Sequence, residues 1–236
     1  MITVLKSDKR GSADHGWLQA RHSFSFAGYY NPERMGHGPL RVFNQDRVAS
    51  SRGFPSHDHQ DMEIVTYVIS GQLTHKDSMG FTSTLGVGDV QLMSAGTGVT
   101  HSEYNLSEDE ELHLLQMWIL PRVNGTKPRY EEHHFSLAAQ KSKLPLLVSP
   151  DGHGDSLTIA QDALFYGAQL QLGEKVSHEL GKAESAWIHV AAGQLKIGTT
   201  VLDAGDSAAI EAEEEMQIEA RQATNVVMWT FPNSQA

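Results

Sequence analysis

No cysteine occurs anywhere in the 236 residues. That excludes disulfide bridges, thiolate metal ligands and thiol nucleophiles together. Basic residues are scarce as well: 18 Lys and Arg stand against 29 Asp and Glu, a formal charge of -11. With no basic cluster, the charge argues against nucleic acid or an anionic membrane surface as the main partner. No stretch approaches the roughly 18 consecutive apolar residues that a membrane-crossing helix needs. The opening segment, Met1-Ile-Thr-Val-Leu-Lys-Ser-Asp-Lys-Arg10, has too short an apolar run for a secretion signal. These absences predict a cytoplasmic protein with no membrane partner and no direct nucleic-acid partner.

What is present is short β-type runs punctuated by glycine. Ile64-Val-Thr-Tyr-Val-Ile69 precedes Ser70-Gly71, and Leu112-His-Leu-Leu-Gln-Met-Trp-Ile-Leu120 precedes Pro121. Strands at this spacing, with few helical periods, favour a sandwich or small barrel. Residues 136–143 are the best candidate for a helical turn and linker.

An internal repeat organises the runs. Val68-Ile-Ser-Gly71-Gln-Leu73 recurs as Val190-Ala-Ala-Gly193-Gln-Leu195, Val87-Gly-Asp89 as Ala204-Gly-Asp206, and Met117-Trp-Ile-Leu-Pro121 as Met228-Trp-Thr-Phe-Pro232. The offsets of 122, 117 and 111 shrink steadily in one order, as two copies of one β-module would if the second had shorter turns. Each proline ends a strand where it cannot continue the ladder. Trp118 and Trp229, as repeat positions, read as core.

Two histidine signatures lie in the first copy alone: Gly53-Phe-Pro-Ser-His57-Asp-His59 with Glu63, and Gly98-Val-Thr-His101-Ser-Glu103 with Asn105. Residues i and i+2 of a strand share a face, so His57/His59 and His101/Glu103 can converge if their strands line one barrel. At the offset of 122, His57, His59 and Glu63 correspond to Glu179, Gly181 and Ser185. The second copy therefore lacks the ligand set, and function is expected in the first.

These residues resemble the cupin superfamily. Its second motif, Gly-x-x-His-x-x-x-Asn, is matched in full by Gly98 to Asn105. Its first is matched by His57-x-His59, Glu63 and Gly71, although Gly53 stands closer to the histidines than usual and Ser94 replaces a usual proline. More narrowly, residues 22–32, 53–64, 75–80 and 93–103 resemble the pirin family, in particular its bacterial quercetinase-like branch. The likeness covers nearly the whole chain and is strong through residue 121. It implies an all-β bicupin, two jelly-roll-like β-barrels related by the repeat, with a metal-binding barrel over 1–135 and a second, ligand-free barrel over 136–236. It also implies one divalent cation on His57, His59, His101 and Glu103, with Glu103 rather than Glu63 as fourth ligand. Iron is the first choice of metal, with Ni, Cu, Mn and Zn open.

The activity so implied is quercetin 2,3-dioxygenase-type: a flavonol and dioxygen react, the ring opens and carbon monoxide leaves. Three neutral imidazoles and one carboxylate leave a single positive charge on a bound dication, which suits an anionic chelating oxygen ligand. Glu103, or alternatively Glu63, is the expected catalytic proton acceptor. The alternative reading, also carried by the resemblance, is a non-enzymatic metal-dependent regulator or binding protein.

Other groups have plainer readings. Glu63 is either a partner supporting a histidine or a ligand. His75, His113 and His189 fall in strand-like runs and read as structural, and His133-His134 as solvated. Phe24, Phe26, Tyr29 and Tyr30 read as a core plug or staple before a substrate wall. His15 and His22 could reach the pocket, and residues 211–215 form a solvated acidic loop or edge strand.

Overall fold

The computed structural model describes residues 1–181, 184–211 and 215–232. They are overwhelmingly strand, in two compact units. One comprises Gly11–Phe135 with Leu157–Gln161, the other Met1–Arg10, Ser136–Ser156 and the chain from Asp162. This differs from a single cut after residue 135 in two places. The first ten residues belong to the later unit, and 157–161 returns to the earlier one.

Numbered along the chain, β1 (Ile2–Leu5) belongs to the later unit. The earlier unit carries β2 (Gly11–Asp14), β3 (Leu18–His22), β4 (Leu40–Val48), β5 (Arg52–Ser70), β6 (Leu73–Asp77), β7 (Thr82–Leu85), β8 (Asp89–Asn105), β9 (Leu112–Ile119) and β10 (Arg129–His134). Beyond these come β11 (Leu146–Ser149), β12 (Leu157–Thr158), β13 (Leu164–Leu170), β14 (Lys175–Glu179) and β15 (Glu184–Ala192). The last are β16 (Gln194–Ile197), β17 (Thr200–Asp203), β18 (Ser207–Glu211), β19 (Glu215–Ala220) and β20 (Thr224–Pro232). The linker expected over 136–143 holds one 3-10 turn, Leu137–Ala139.

In the earlier unit the antiparallel order is β2-β3-β4-β9-β5-β8-β6-β7, with β10 added on β8. Residues 64–68 of β5 are all buried, because that stretch is paired on both sides, to β9 and β8, and packed on both faces. β3 instead alternates buried and exposed side chains, as a strand with one wet face does. The later unit pairs β1-β18-β15-β20-β13-β11 in one sheet and β14-β19-β16-β17 in another. Its centre holds Trp229 stacked on Phe165 at 4.5 Å and on Phe231 at 5.8 Å.

The repeat anchors do the same local work in both units. Gly71 and Gly193 have φ of 77° and 84°, where a β-carbon would run into the backbone oxygens of Glu111 and Ala223. Asp89 accepts the N–H of Gly86 at 2.6 Å, and Asp206 that of Asp203 at 3.0 Å, each closing a turn three residues back. Asp206 also explains the membership of the first ten residues. It accepts the Lys6 ammonium at 2.6 Å and the Ser7 N–H at 2.8 Å, while β1 pairs along β18. That second neighbour makes β18 an interior strand, so Glu211 is not on an edge; residues 212–214 of the acidic stretch lie outside the described residues. Among the described residues no helix is long and apolar enough to cross a membrane.

Candidate metal centre

Three adjacent strands build the site. The register sets His57 on β5 opposite His101 on β8, and on the other side of β8 it sets Asp77 opposite His101 and His75 opposite Glu103. The rings of His57, His59 and His101 have centroids 4.5 to 4.8 Å apart. One ligand atom from each lies within 4.8 Å of the other two. His75, His101 and Glu103 form a second group of that kind, so His101 is common to both.

His57 donates from Nδ1 to the Pro55 carbonyl at 2.8 Å, which leaves its Nε2 as a bare lone pair. That atom faces Nε2 of His101 at 3.1 Å. Burial, reinforced by the neighbouring imidazoles, lowers His101 to about 2; burial and then His57 lower His59 to about 4. At neutral pH these two rings are uncharged. Burial pushes the Glu103 carboxyl above its usual range, opposed first by His75 and then by Gln116, whose Nε2 donates to Oε2 at 2.7 Å. The buried Oε1 has no bond of good geometry, although the Thr66 hydroxyl approaches the same carboxyl. Clustered neutral imidazoles beside an incompletely bonded buried carboxyl suit a divalent cation, and the donor set fits Fe, Ni, Cu, Mn or Zn.

A cavity of about 650 Å³ opens over this cluster, bounded at one end by His57, His59 and Glu103. Leu18, Ala20, Phe26, Phe54 and Trp118 give it an apolar wall, and His22, Asn44 and Gln116 a polar one. Trp118 stands edge-on to His59 at 4.8 Å and to Phe26 at 5.2 Å. It is therefore a half-buried wall residue, while Trp229 is core as expected. The aromatic cluster divides: Phe26 and Tyr29 line the cavity, Phe24 is buried, and Tyr30 is exposed. His15 and His22 both line the cavity, and His22 Nδ1 meets Asn44 Oδ1 at 2.8 Å.

Glu63 fills neither role considered for it. It is fully buried, accepts the Ser94 hydroxyl at 2.9 Å and the Ala160 N–H at 3.2 Å, and anchors the 157–161 return. Burial raises its carboxyl, too. His113 is bonded to Gln45 at 2.9 Å, and the exposed His134 to Asp89 at 2.7 Å. Gln116 and Asn44 carry no motif signal, and Phe54 lies inside the first signature without a role read for it. Gln116 had one usable cue, a polar residue inside the apolar run of β9.

Asn105, the last residue of the second motif, is a strap rather than a ligand. Its Nδ2 donates to the carbonyls of Val48 and Glu110 at 3.1 and 2.7 Å, and its Oδ1 accepts the Ser107 N–H at 3.1 Å. Asn105→Ala is expected to cost about 1–3 kcal/mol per group left unsatisfied, read by chemical denaturation, with metal stoichiometry unchanged.

Known proteins share this architecture and these segments. The Pirin family model matches residues 4–119, and one described as Quercetinase C-terminal cupin domain matches residues 146–229. The chain is 42% identical to a protein of Escherichia coli K12 named quercetin 2,3-dioxygenase, over 98% of this chain and 99% of that one. It is 43% identical to a pirin-like protein of Caulobacter vibrioides, over 97% of this chain and 98% of the other. The crystal structure of the E. coli bacterial pirin YhhW in complex with nickel(II) superposes with a TM-score of 0.94 at 40% identity, covering 99% of this chain and all of that one.

Proposed function

The chain belongs to the pirin family, and from that premise we propose that it is a metal-dependent dioxygenase of the quercetin 2,3-dioxygenase type. Its substrates would be a flavonol and dioxygen, and its reaction ring opening with release of carbon monoxide. One divalent cation would be held by His57, His59, His101 and Glu103. The observation that carries the reading is the cavity, which is open, mostly apolar and bounded at one end by the histidine–carboxylate cluster. A regulator needing only a structural ion would have no use for such a space.

When bound, the cation would supply Lewis acidity that lowers the pKa of a coordinated hydroxyl. The chain's own groups do the rest. Trp118, Phe26 and Phe54 offer apolar faces of a size to cover a flat polycyclic ligand. Glu103 is the proton acceptor for the flavonol 3-hydroxyl, as the carboxylate that lines the cavity and groups with His101. Gln116 holds that carboxylate by its Oε2, and the other oxygen is buried with no bond of good geometry. The names of the E. coli relative and of the nickel-bound structure support both the activity and a divalent ion.

The test is carbon monoxide evolution from quercetin in air, with metal-loaded protein beside a chelator-stripped sample. Metal-dependent release is expected. Metal-bound protein that releases none would reject quercetin and move the weight to a binding role.

A further inference from the structure

Behind the cluster lies a buried pair that the proposed reaction does not use. His75 and Asp77 on β6 have side chains with no exposure, and Nε2 of His75 meets Oδ2 of Asp77 at 3.0 Å. The other oxygen of Asp77 accepts the backbone N–H groups of Met79 and Phe81 at 2.9 and 3.1 Å. On its far side, Nδ1 of His75 stands 3.5 Å from Nδ1 of His101. Tyr130 stacks on the His75 ring at 4.9 Å and Phe81 stacks on Tyr130, so the imidazole has little freedom to turn.

The hydrogen-bond geometry points to one order of donors along this line. Asp77 receives two backbone N–H groups on one oxygen and turns the other to His75, so Nε2 of His75 stands as the donor of that pair. Nδ1 of His75 is then left to accept, and two nitrogens face it, Nε2 of Gln91 at 3.4 Å and Nδ1 of His101 at 3.5 Å. A donor Nδ1 on His101 leaves its Nε2 bare, and Nε2 is the atom that faces His57.

We infer that His75 and Asp77 are positioning residues for the metal centre, setting the tautomer and orientation of His101 so that Nε2 is its ligand atom. This rests on the proposed ligand role of His101. The sheet register makes it legible: the His75-x-Asp77 pair lies on the strand next to His101-x-Glu103, with Asp77 and His101 directly opposed. Partners that orient a ligating imidazole typically change metal affinity 10–100-fold when removed.

The experiment uses the full chain loaded with zinc(II) alone, a diamagnetic probe. Long-range ¹H–¹⁵N imidazole spectra are expected to show His101 bound through Nε2 and protonated at Nδ1, and His75 protonated at Nε2 only. His101 ligated through Nδ1, or His75 protonated at Nδ1, would overturn the inference and leave His101 as a ligand. Zinc bound with His101 not ligated would overturn the ligand reading and this inference together. Asp77→Asn should weaken zinc binding about 10–100-fold in competition with a chelator, with the zinc-free unfolding midpoint little changed. Unaltered affinity would count against the inference, and the wild-type spectra decide the matter if that variant does not fold.

Discussion

His101→Ala is expected to abolish both stoichiometric metal and carbon monoxide release. Among the described residues His101 is common to both ligand groups, and it sits on β8 between the strands that carry His57 and His75. Its removal leaves His57 and His59 on one strand with nothing opposite, and separates them from Glu103. Affinity should fall by more than the ~10–100-fold typical of a merely supporting partner. The fold has less to lose. The β5–β8 ladder is made by backbone groups that alanine retains, and the imidazole removed is one that burial already disfavours in its charged form. Metal analysis of purified protein and a chelator competition measure the effect. His113→Ala is the control, a buried histidine bonded to Gln45 outside the cluster, and it should keep its metal. Retained stoichiometric metal in His101→Ala would remove His101 from the ligand set.

The parts of this architecture that sequence exposes most clearly are those fixed by short-range geometry. Gly71 and Gly193, and the two Gly-Asp turns, recur because each unit must reverse its chain at a positive φ and close the turn with a carboxylate. The i, i+2 spacing of His57/His59 and His101/Glu103 survives in the structure because β5 and β8 run through those positions as extended strand. Trp118 and Trp229 show the limit of the repeat. They occupy equivalent places, opposite Ile64 on β5 and Trp187 on β15. Only the packing around them makes one a cavity wall and the other a core residue, and no local pattern carries that difference.

Glu63 was illegible for a different reason. Its spacing from His59 suggests the same face, since four residues of strand restore the side-chain direction. Between the His59–Val99 and Asp61–Gly96 pairs, however, β8 spends three residues against two on β5. On β5 itself Asp61 has φ of 65°, a left-handed conformation that breaks the alternation, and Glu63 is paired opposite Ser94, whose hydroxyl it accepts, near the 157–161 segment. The first ten residues mislead similarly. Their pairing partner, β18, is about two hundred residues away, and nothing local in Met1–Arg10 points to Asp206.

Gly53→Ala is expected to disturb the metal centre without touching a ligand. Gly53 pairs with Tyr104 across β5 and β8 at a point of very close approach. A β-carbon there would sit 2.2 Å from the carbonyl oxygen of Glu103 and 2.5 Å from the α-carbon of Tyr104. Both are backbone atoms of the strand that carries Glu103, so no side-chain rotation relieves the clash and β8 itself must move. Overpacking of this kind costs about 1–3 kcal/mol, read as a lower denaturation midpoint of the metal-free protein. The displacement falls directly on Glu103, and a shift of about 1 Å in a catalytic group can lower turnover roughly 10²-fold. Gly98→Ala is the useful comparison. Gly98 has φ of 138° but open space around its missing side chain, so that variant is strained without a clash against β5. If Gly53→Ala kept wild-type stability and turnover, the close approach of β5 to β8 would not be what holds Glu103 in place.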